Sequence, residues 1–299
     1  MNSKQSVLIA GGGPAGNLFC ILFSRLGWKI TRALSDRIPP QRKHTHYLKK
    51  RIVDISQDID EQLHVLVLNS VENGLVNLKD GSPIFWLNQA KLVAGLEEIA
   101  STLSTPALFS IENLTNEEAS SYDVMIDATG SRMKLTRQCE KMGFGQLIVD
   151  DTGTFNQYTT RIYKNKNAQG WVWVDKLENA VIYGEAIGGT LKITTDAITL
   201  APDKLPIFIR EFINDDPIET YRCAAPKIRR SNWEGSPLIR VGDALIQLPA
   251  QTGFGFTSIF EQGLLCSSLI PSKMESALND FAERLWMGTV TQFAINKLL

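Results

Sequence analysis

Several common carriers of function are scarce or missing in this sequence. Its four cysteines, Cys20, Cys139, Cys223 and Cys266, stand far apart and form no C-x-x-C pair, which argues against a zinc ribbon or a disulfide framework. A reduced, cytoplasmic protein is the simplest expectation. His44 and His46 lie close together with no third ligand nearby, so no metal site is expected. No apolar run is long enough to span a bilayer, and Ser3 and Lys4 lead straight into the first apolar strand rather than into a signal peptide. The formal net charge of -1 gives no broad attraction to nucleic acid or anionic membrane. The basic clusters Arg42-Lys43 and Lys49-Lys50-Arg51 therefore read as solvated faces or phosphate contacts. A G-x-S-x-G nucleophile elbow is missing, which removes Ser-His-Asp chemistry, and there are no internal repeats or low-complexity linkers.

What is present begins almost at once. Val7-Leu8-Ile9-Ala10 runs into Gly11-Gly12-Gly13-Pro14-Ala15-Gly16, a buried strand entering a glycine-rich turn. Gly11 permits the tight turn, and Gly13 lets a diphosphate approach bare backbone. Gly16 lets the helix Asn17 to Leu26 pack on the strand while its N-terminal N–H groups face the anion. Gly27 closes that helix before a second apolar stretch, Trp28 to Leu34, completing the order a dinucleotide-binding βαβ unit requires.

With 299 residues, 43% of them hydrophobic, the chain can build one large or two medium domains. After a polar loop, Ser35 to Lys43, the segments Leu63 to Leu68 and Gly74 to Trp86 read as short strands, with Asn73-Gly74 and Asp80-Gly81 as turns. Leu92, Val93, Leu96, Ile99 and Ala100 mark a helix with one buried face over Gln89 to Leu103, and Tyr122 to Ala128 reads as a buried strand. Phe155 to Ile193 is β-rich. Leu205 to Ile213 is a helix candidate, Pro237 to Val241 a strand, Thr257 to Leu269 a helix, and Met274 to Leu299 one or two more helices.

Three loops together resemble a class A flavoprotein monooxygenase, the group of aromatic hydroxylases and FAD-dependent epoxidases. They are the glycine loop; Asp123-Val-Met-Ile-Asp127-Ala-Thr129-Gly130-Ser-Arg132; and Val241-Gly242-Asp243-Ala244 followed by Pro249 and Gly253-Phe254-Gly255-Phe256. The resemblance implies an α/β fold, a Rossmann-like FAD-binding domain of the glutathione-reductase and aromatic-hydroxylase type with an interleaved, mainly antiparallel β substrate domain. It assigns residues 1–60, 91–150 and 226–299 to the FAD-binding domain and 61–90 and 151–225 to the substrate domain. Gly11, Gly13, Pro14, Ala15 and Gly16 are then expected to hold the pyrophosphate, with Thr129 and Gly130 beside it. Gly242 and Asp243 are expected at the flavin-side hydroxyls, and Gly253, Phe254, Gly255 and Phe256 at the flavin edge. The implied reaction is hydroxylation or epoxidation of a small organic, natural-product-like substrate through a flavin C4a-hydroperoxide, with NAD(P)H as reductant and a flavin reductase as partner.

The segment Asp36-Arg37-Ile-Pro39-Pro-Gln41-Arg42-Lys43-His44-Thr45-His46 resembles the Pro-Gln-x-x-His-x-His stretch of one subgroup, and puts Arg42 and His46 forward as groups facing the flavin ring or nicotinamide, with His44 a further catalytic candidate. Tyr158, Arg161, Trp171 and Trp173 are expected in the substrate pocket. Two positions depart from the family. Leu34 stands where the second strand normally ends in a ribose-binding acid, leaving Asp36 to substitute if the strand end shifts, and Gln89 stands where relatives often carry Arg. Losing one charge-assisted hydrogen bond costs about 1.5–3 kcal/mol, so FAD is expected to bind weakly, in exchange with a reductase, or not at all. A non-redox cyclase, isomerase or dehydratase on the same scaffold, using His44, His46 or Arg161, is a second reading, and a binding protein without chemistry a third. Gly170-Trp171-Val172-Trp173-Val174 also resembles the flavin-dependent halogenase signature, but the match stops at Asp175, and Lys79 and Lys91 are the available lysines.

Overall fold

Val7, Leu8, Ile9 and Ala10 are completely buried because β1 (Ser6–Ala10) is the middle strand of a parallel sheet. The computed structural model describes residues 5–34, 46–47, 51–77, 83–150, 157–164, 170–177, 180–187, 189–195, 205, 207–211, 213, 216–223, 225–232, 238–248 and 254–298. After β1 comes α1 (Pro14–Arg25), opened by a proline whose fixed φ suits the first helical position and buried continuously from Ala15 to Phe23. Then follow β2 (Lys29–Ala33), β3 (His46–Tyr47), α2 (Arg51–Ile59), α3 (Glu61–Ser70), β4 (Val71–Asn77), β5 (Pro83–Leu87), α4 (Gln89–Leu103) and β6 (Thr105–Pro106). The middle of the chain supplies α5 (Asn116–Ser120), β7 (Val124–Asp127), α6 (Lys134–Lys141) and β8 (Gln146–Asp150). Next are β9 (Tyr158–Lys164), β10 (Gly170–Leu177), β11 (Ala180–Ile187), β12 (Thr190–Thr195), α7 (Ile207–Arg210) and β13 (Glu219–Cys223). β14 (Lys227–Asn232), β15 (Leu238–Arg240), β16 (Ile246–Gln247), α8 (Phe254–Ser267) and α9 (Pro271–Leu298) complete it.

The first sheet runs β15-β7-β1-β2-β6, every pair parallel. Alternate residues of β1 face opposite sides. Val7 and Ile9 meet a core built with α1, α2, α3, α4, α8 and α9, while Leu8 and Ala10 meet Ile111, Ala119, Met125, Leu135 and Cys139 around α6. The second sheet runs β13-β9-β12-β11-β10-β4-β5-β3 and is antiparallel except where β10 meets β4. A third, antiparallel sheet runs β16-β14-β8. The fold is α/β, a parallel sheet clad in helices with a mainly antiparallel sheet interleaved in the chain.

Several elements differ from the reading of the sequence. Leu63 to Leu68 is helical, not extended: the Asp60 side chain accepts from the Leu63 N–H at 3.0 Å and starts α3, and Leu63 and Val67, four residues apart, share its buried face. Asn73-Gly74 is no turn but lies inside β4, where the register with β5 slips between Glu72 and Leu75, a glycine at a bulge. Asp80-Gly81 falls outside the described residues. The helix expected over Leu205 to Ile213 is confined to one turn, α7, whereas the one or two helices expected over Met274 to Leu299 are present as one, α9. Among the described residues no helix is long and apolar enough to cross a membrane.

Candidate functional site

The carboxyl ends of β2, β1, β7 and β15 lie level, since Ala10 is in register with both Ala33 and Asp127, and Asp127 with Arg240. Ligand crevices of parallel sheets form outside such ends. The glycine loop crosses this edge. Gly11 has φ +112, and a Cβ there would lie 2.4 Å from the Ala128 carbonyl oxygen; its N–H donates to Ala33 O at 3.0 Å. A Cβ on Gly16 would lie 2.1 Å from Gly11 O, so the helix rests on the turn itself. Gly13 differs, with open space where its Cβ would be. It is also the N-cap of α1, offers no side-chain cap, and is followed by no acid in the first turn. The first-turn N–H groups have no intrahelical acceptors and sit at the positive end of the helix dipole, which makes this turn a candidate anion site.

The Gly242 turn closes on this loop. Gly242 has φ +59, and a Cβ on it would lie 2.9 Å from Ala15 Cβ, so residues from the two ends of the chain are in contact across the crevice. Gln262 of α8 fixes the turn by accepting from the Gly242 N–H at 2.7 Å. The Asp243 side chain is exposed, and its carbonyl accepts from the buried Arg229 at 2.6 Å. Burial pushes the Arg229 guanidinium below its ordinary value; Asp243 opposes this, and Arg240 and Arg137 add to it. Arg240, fully buried at the end of β15, donates to Glu275 Oε1 at 2.8 Å and Asn279 Oδ1 at 3.0 Å, tying α9 beneath the same edge.

The loop after β7 is held from inside. Asp127 is fully buried and accepts from Thr129 N at 2.9 Å, Thr129 Oγ1 at 2.6 Å, Thr136 N at 2.8 Å and Thr136 Oγ1 at 2.6 Å. Thr129 Oγ1 also accepts from Lys134 N at 2.7 Å, so the hydroxyl is occupied by the protein and the Thr129-Gly130 turn presents backbone to the crevice. A cavity of about 410 Å³ lined by Glu112, Ser131, Arg132, Lys134, Arg137, Gln138 and Lys141 belongs to the α6 face of the sheet, opposite α1.

Among the described residues, buried polar atoms without a hydrogen-bond partner include Arg32 Nε on β2, Gln89 Oε1 at the start of α4, Arg229 Nε behind Asp243, and Thr257 Oγ1 and Gln262 Nε2 in α8. An unmet buried polar group costs about 1–3 kcal/mol, and such atoms suit a polar ligand. Gly255 is exposed and Phe256 buried against Phe260, with ring centroids 5.7 Å apart. Together the uncapped α1 N-terminus, the open Gly13 and these orphaned atoms fit a dinucleotide cofactor such as FAD.

Other candidates belong to the second sheet. His46 of β3 pairs with Leu87 of β5 at the end of that sheet, whereas Asp36, Arg42, His44 and Gly253 lie outside the described residues. Trp171 and Trp173 occupy β10 opposite Ala186 and Gly184, and Tyr158 pairs with Cys223. Arg161 of β9 has a buried Nη1 without a partner. Nearby, burial raises the Tyr163 hydroxyl above its ordinary value, opposed by Arg161 and reinforced by Asp216. Lys91 donates to Asn69 O at 2.6 Å on the surface.

Sequence reasoning missed Arg32, which is 3% exposed although it lies within β2. Its Nη2 donates to Asn17 Oδ1 at 2.7 Å and to Glu97 Oε2 at 2.9 Å. The available signal was a charge inside a strand of the βαβ unit, which demands a buried partner.

No protein-family model matches the sequence, and no curated protein matches it. Solved structures do. The tetracycline destructase Tet(51) is 12% identical with a TM-score of 0.65 over 99% of this chain and 92% of its own. The peptidyl tryptophan dihydroxylase QhpG, essential for tryptophylquinone cofactor biogenesis, is 13% identical with a TM-score of 0.69 over 99% of this chain and 76% of its own. The flavin-dependent brominase Bmp2 is 12% identical with a TM-score of 0.65 over 94% and 86%. These likenesses give the chain the fold shared by flavin-dependent monooxygenases and halogenases.

Proposed function

We propose that this chain is a flavin-dependent oxidoreductase of the monooxygenase type, acting on a small organic substrate. The observation that carries the reading is the contact of the Gly242 turn with Ala15, which brings the glycine loop and the Asp243 loop to one crevice at the carboxyl ends of parallel strands. Gly11, Gly13, Gly16 and the uncapped α1 N-terminus receive the pyrophosphate. Asp243 accepts from flavin-side hydroxyls, and Gly255 and Phe256 close the flavin edge. Bound FAD would supply oxygen activation after reduction by NAD(P)H. The chain's own residues bind, orient and exclude water: Arg161, with its buried unpartnered Nη1, suits an anionic or strongly accepting group on the substrate.

Halogenation is a second reading, supported by the flavin-dependent brominase among the structures that share this fold; Lys91 donates to Asn69 O at the surface, and Lys79, the other lysine available to direct a halogenating oxidant, lies outside the described residues. The test is the visible spectrum of the purified protein, before and after incubation with FAD, together with NAD(P)H-dependent oxygen consumption. Asp243→Ala is expected to lower flavin affinity and oxygen consumption together. A parent protein that never acquires a flavin spectrum, or turns over its substrate without oxygen and FAD, overturns the reading; turnover that requires chloride or bromide moves it to the halogenase.

A further inference from the structure

A dinucleotide-binding βαβ unit holds its ribose with an acid that follows the glycine loop in sequence, at the end of the second strand. Here that place belongs to Leu34, yet a carboxylate reaches the same spot from elsewhere. Glu97 projects from α4. A Cβ on Gly12 would lie 3.0 Å from Leu34 Cδ2, 3.6 Å from Arg32 Nη2 and 3.7 Å from Glu97 Oε2, so the four residues surround one point beside the glycine loop.

Glu97 is fixed there by design of the surrounding bonds. Arg32 Nη2 donates to Glu97 Oε2 at 2.9 Å, and Ser101 Oγ donates to Oε1 at 3.2 Å. The same Arg32 nitrogen donates to Asn17 Oδ1, whose Nδ2 donates to Gly12 O at 3.3 Å, linking the carboxylate to the loop backbone. Arg32 is buried while the Glu97 side chain is 40% exposed, so the cation acts from behind and the carboxylate, beside Gly12, keeps lone pairs open to a ligand. We propose that Glu97 is the ribose-binding acid of this protein, accepting from the 2′- and 3′-hydroxyls of the adenosine end of the cofactor while Arg32 orients it. The proposal rests on the dinucleotide reading of the crevice. It further specifies the ligand: an acid in this position excludes a 2′-phosphate, so the site takes FAD or an ADP-ribose unit and rejects its 2′-phosphorylated form.

The full-length protein is titrated with FAD by flavin fluorescence quenching, and with ADP-ribose, 2′-deoxy-ADP-ribose and 2′-phospho-ADP-ribose by calorimetry. Glu97→Gln, which keeps the shape and one acceptor for Arg32, is expected to weaken FAD and ADP-ribose by about ten- to a hundredfold. It should also lose the parent's preference for the 2′-hydroxyl. Leu34→Glu should restore affinity in the Glu97→Gln background and add nothing to the parent. Unchanged affinity and unchanged 2′-hydroxyl preference in Glu97→Gln overturn the proposal. If that variant does not fold, the parent alone decides: equal binding of ADP-ribose and its 2′-phosphate overturns it. A parent that binds ADP-ribose but no flavin leaves Glu97 standing and removes the flavin reading, whereas tight FAD binding indifferent to Glu97→Gln does the reverse.

Discussion

Gly242→Ala tests the closure of the crevice. The new methyl lies 2.9 Å from Ala15 Cβ, a separation at which something must shift, and φ +59 forces a non-glycine residue into the left-handed region. The backbone term costs about 1–2 kcal/mol and the overpacked contact about 1–3 kcal/mol, together about 2–5 kcal/mol. At roughly 2 °C per kcal/mol for a chain of this size, the melting temperature should fall by about 4–10 °C. Gly27→Ala is the matched control, for Gly27 has φ +79 and nothing within 4 Å of its Cβ, so only the backbone term applies. The contact is then isolated by a cycle. Ala15→Gly costs up to about 1 kcal/mol alone through helix propensity, but it removes the methyl that Gly242→Ala strikes, so the double variant should recover about 1–3 kcal/mol. Urea unfolding of the four proteins gives the coupling directly. A coupling of zero, or a Gly242→Ala loss no larger than that of Gly27→Ala, would refute the claim that the two loops touch.

Three further outcomes follow from charged groups held by several hydrogen bonds. Asp127→Asn turns an acceptor of four hydrogen bonds into a group whose amide faces donors, and should cost about 2–4 kcal/mol in urea unfolding. Arg240→Met leaves the Glu275 carboxylate without its buried cation and should cost about 3–5 kcal/mol, read as a lowered melting temperature. Burial opposes ionisation of Glu97, but the Arg32 hydrogen bond and charge, with Asn17 and Ser101, outweigh it and lower its pKa from 4.5. A depressed acid stabilises the fold fully above that value and loses its contribution as pH falls through the lowered one. Acid unfolding of Glu97→Gln should therefore show a shallower pH dependence below 4.5 than the parent's; identical slopes would contradict the Arg32–Glu97 geometry.

What could be read in the sequence was what local stereochemistry dictates. Gly11 and Gly16 admit no side chain, and the strand, turn and helix around them follow from that constraint and from apolar periodicity. Asp60 could have corrected the strand reading of Leu63 to Leu68, because an N-cap aspartate before an i, i+4 apolar pair is a local signal. Arg32 and Glu97 lie 65 positions apart and meet only because α4 packs against α1 and the second strand. Nothing in either neighbourhood names the other. Asp127, by contrast, is bound by near neighbours, Thr129 and Thr136, but only once α6 folds back onto the end of β7.

The contact between Ala15 and Gly242 also sets a clock for biosynthesis. More than two hundred residues separate the two halves of the crevice, so at about 5–20 residues per second the glycine loop leaves the ribosome roughly ten to fifty seconds before its counterpart exists. During that interval α1 can pack on β1, β2 and α4 but lacks Gly242 and α8, so the part of its buried run that they cover is left facing water or a chaperone. Any ligand that bridges the two loops acts as a removable staple between the beginning and the end of the chain, and free ligand present at completion favours the finished fold over its partly assembled precursor.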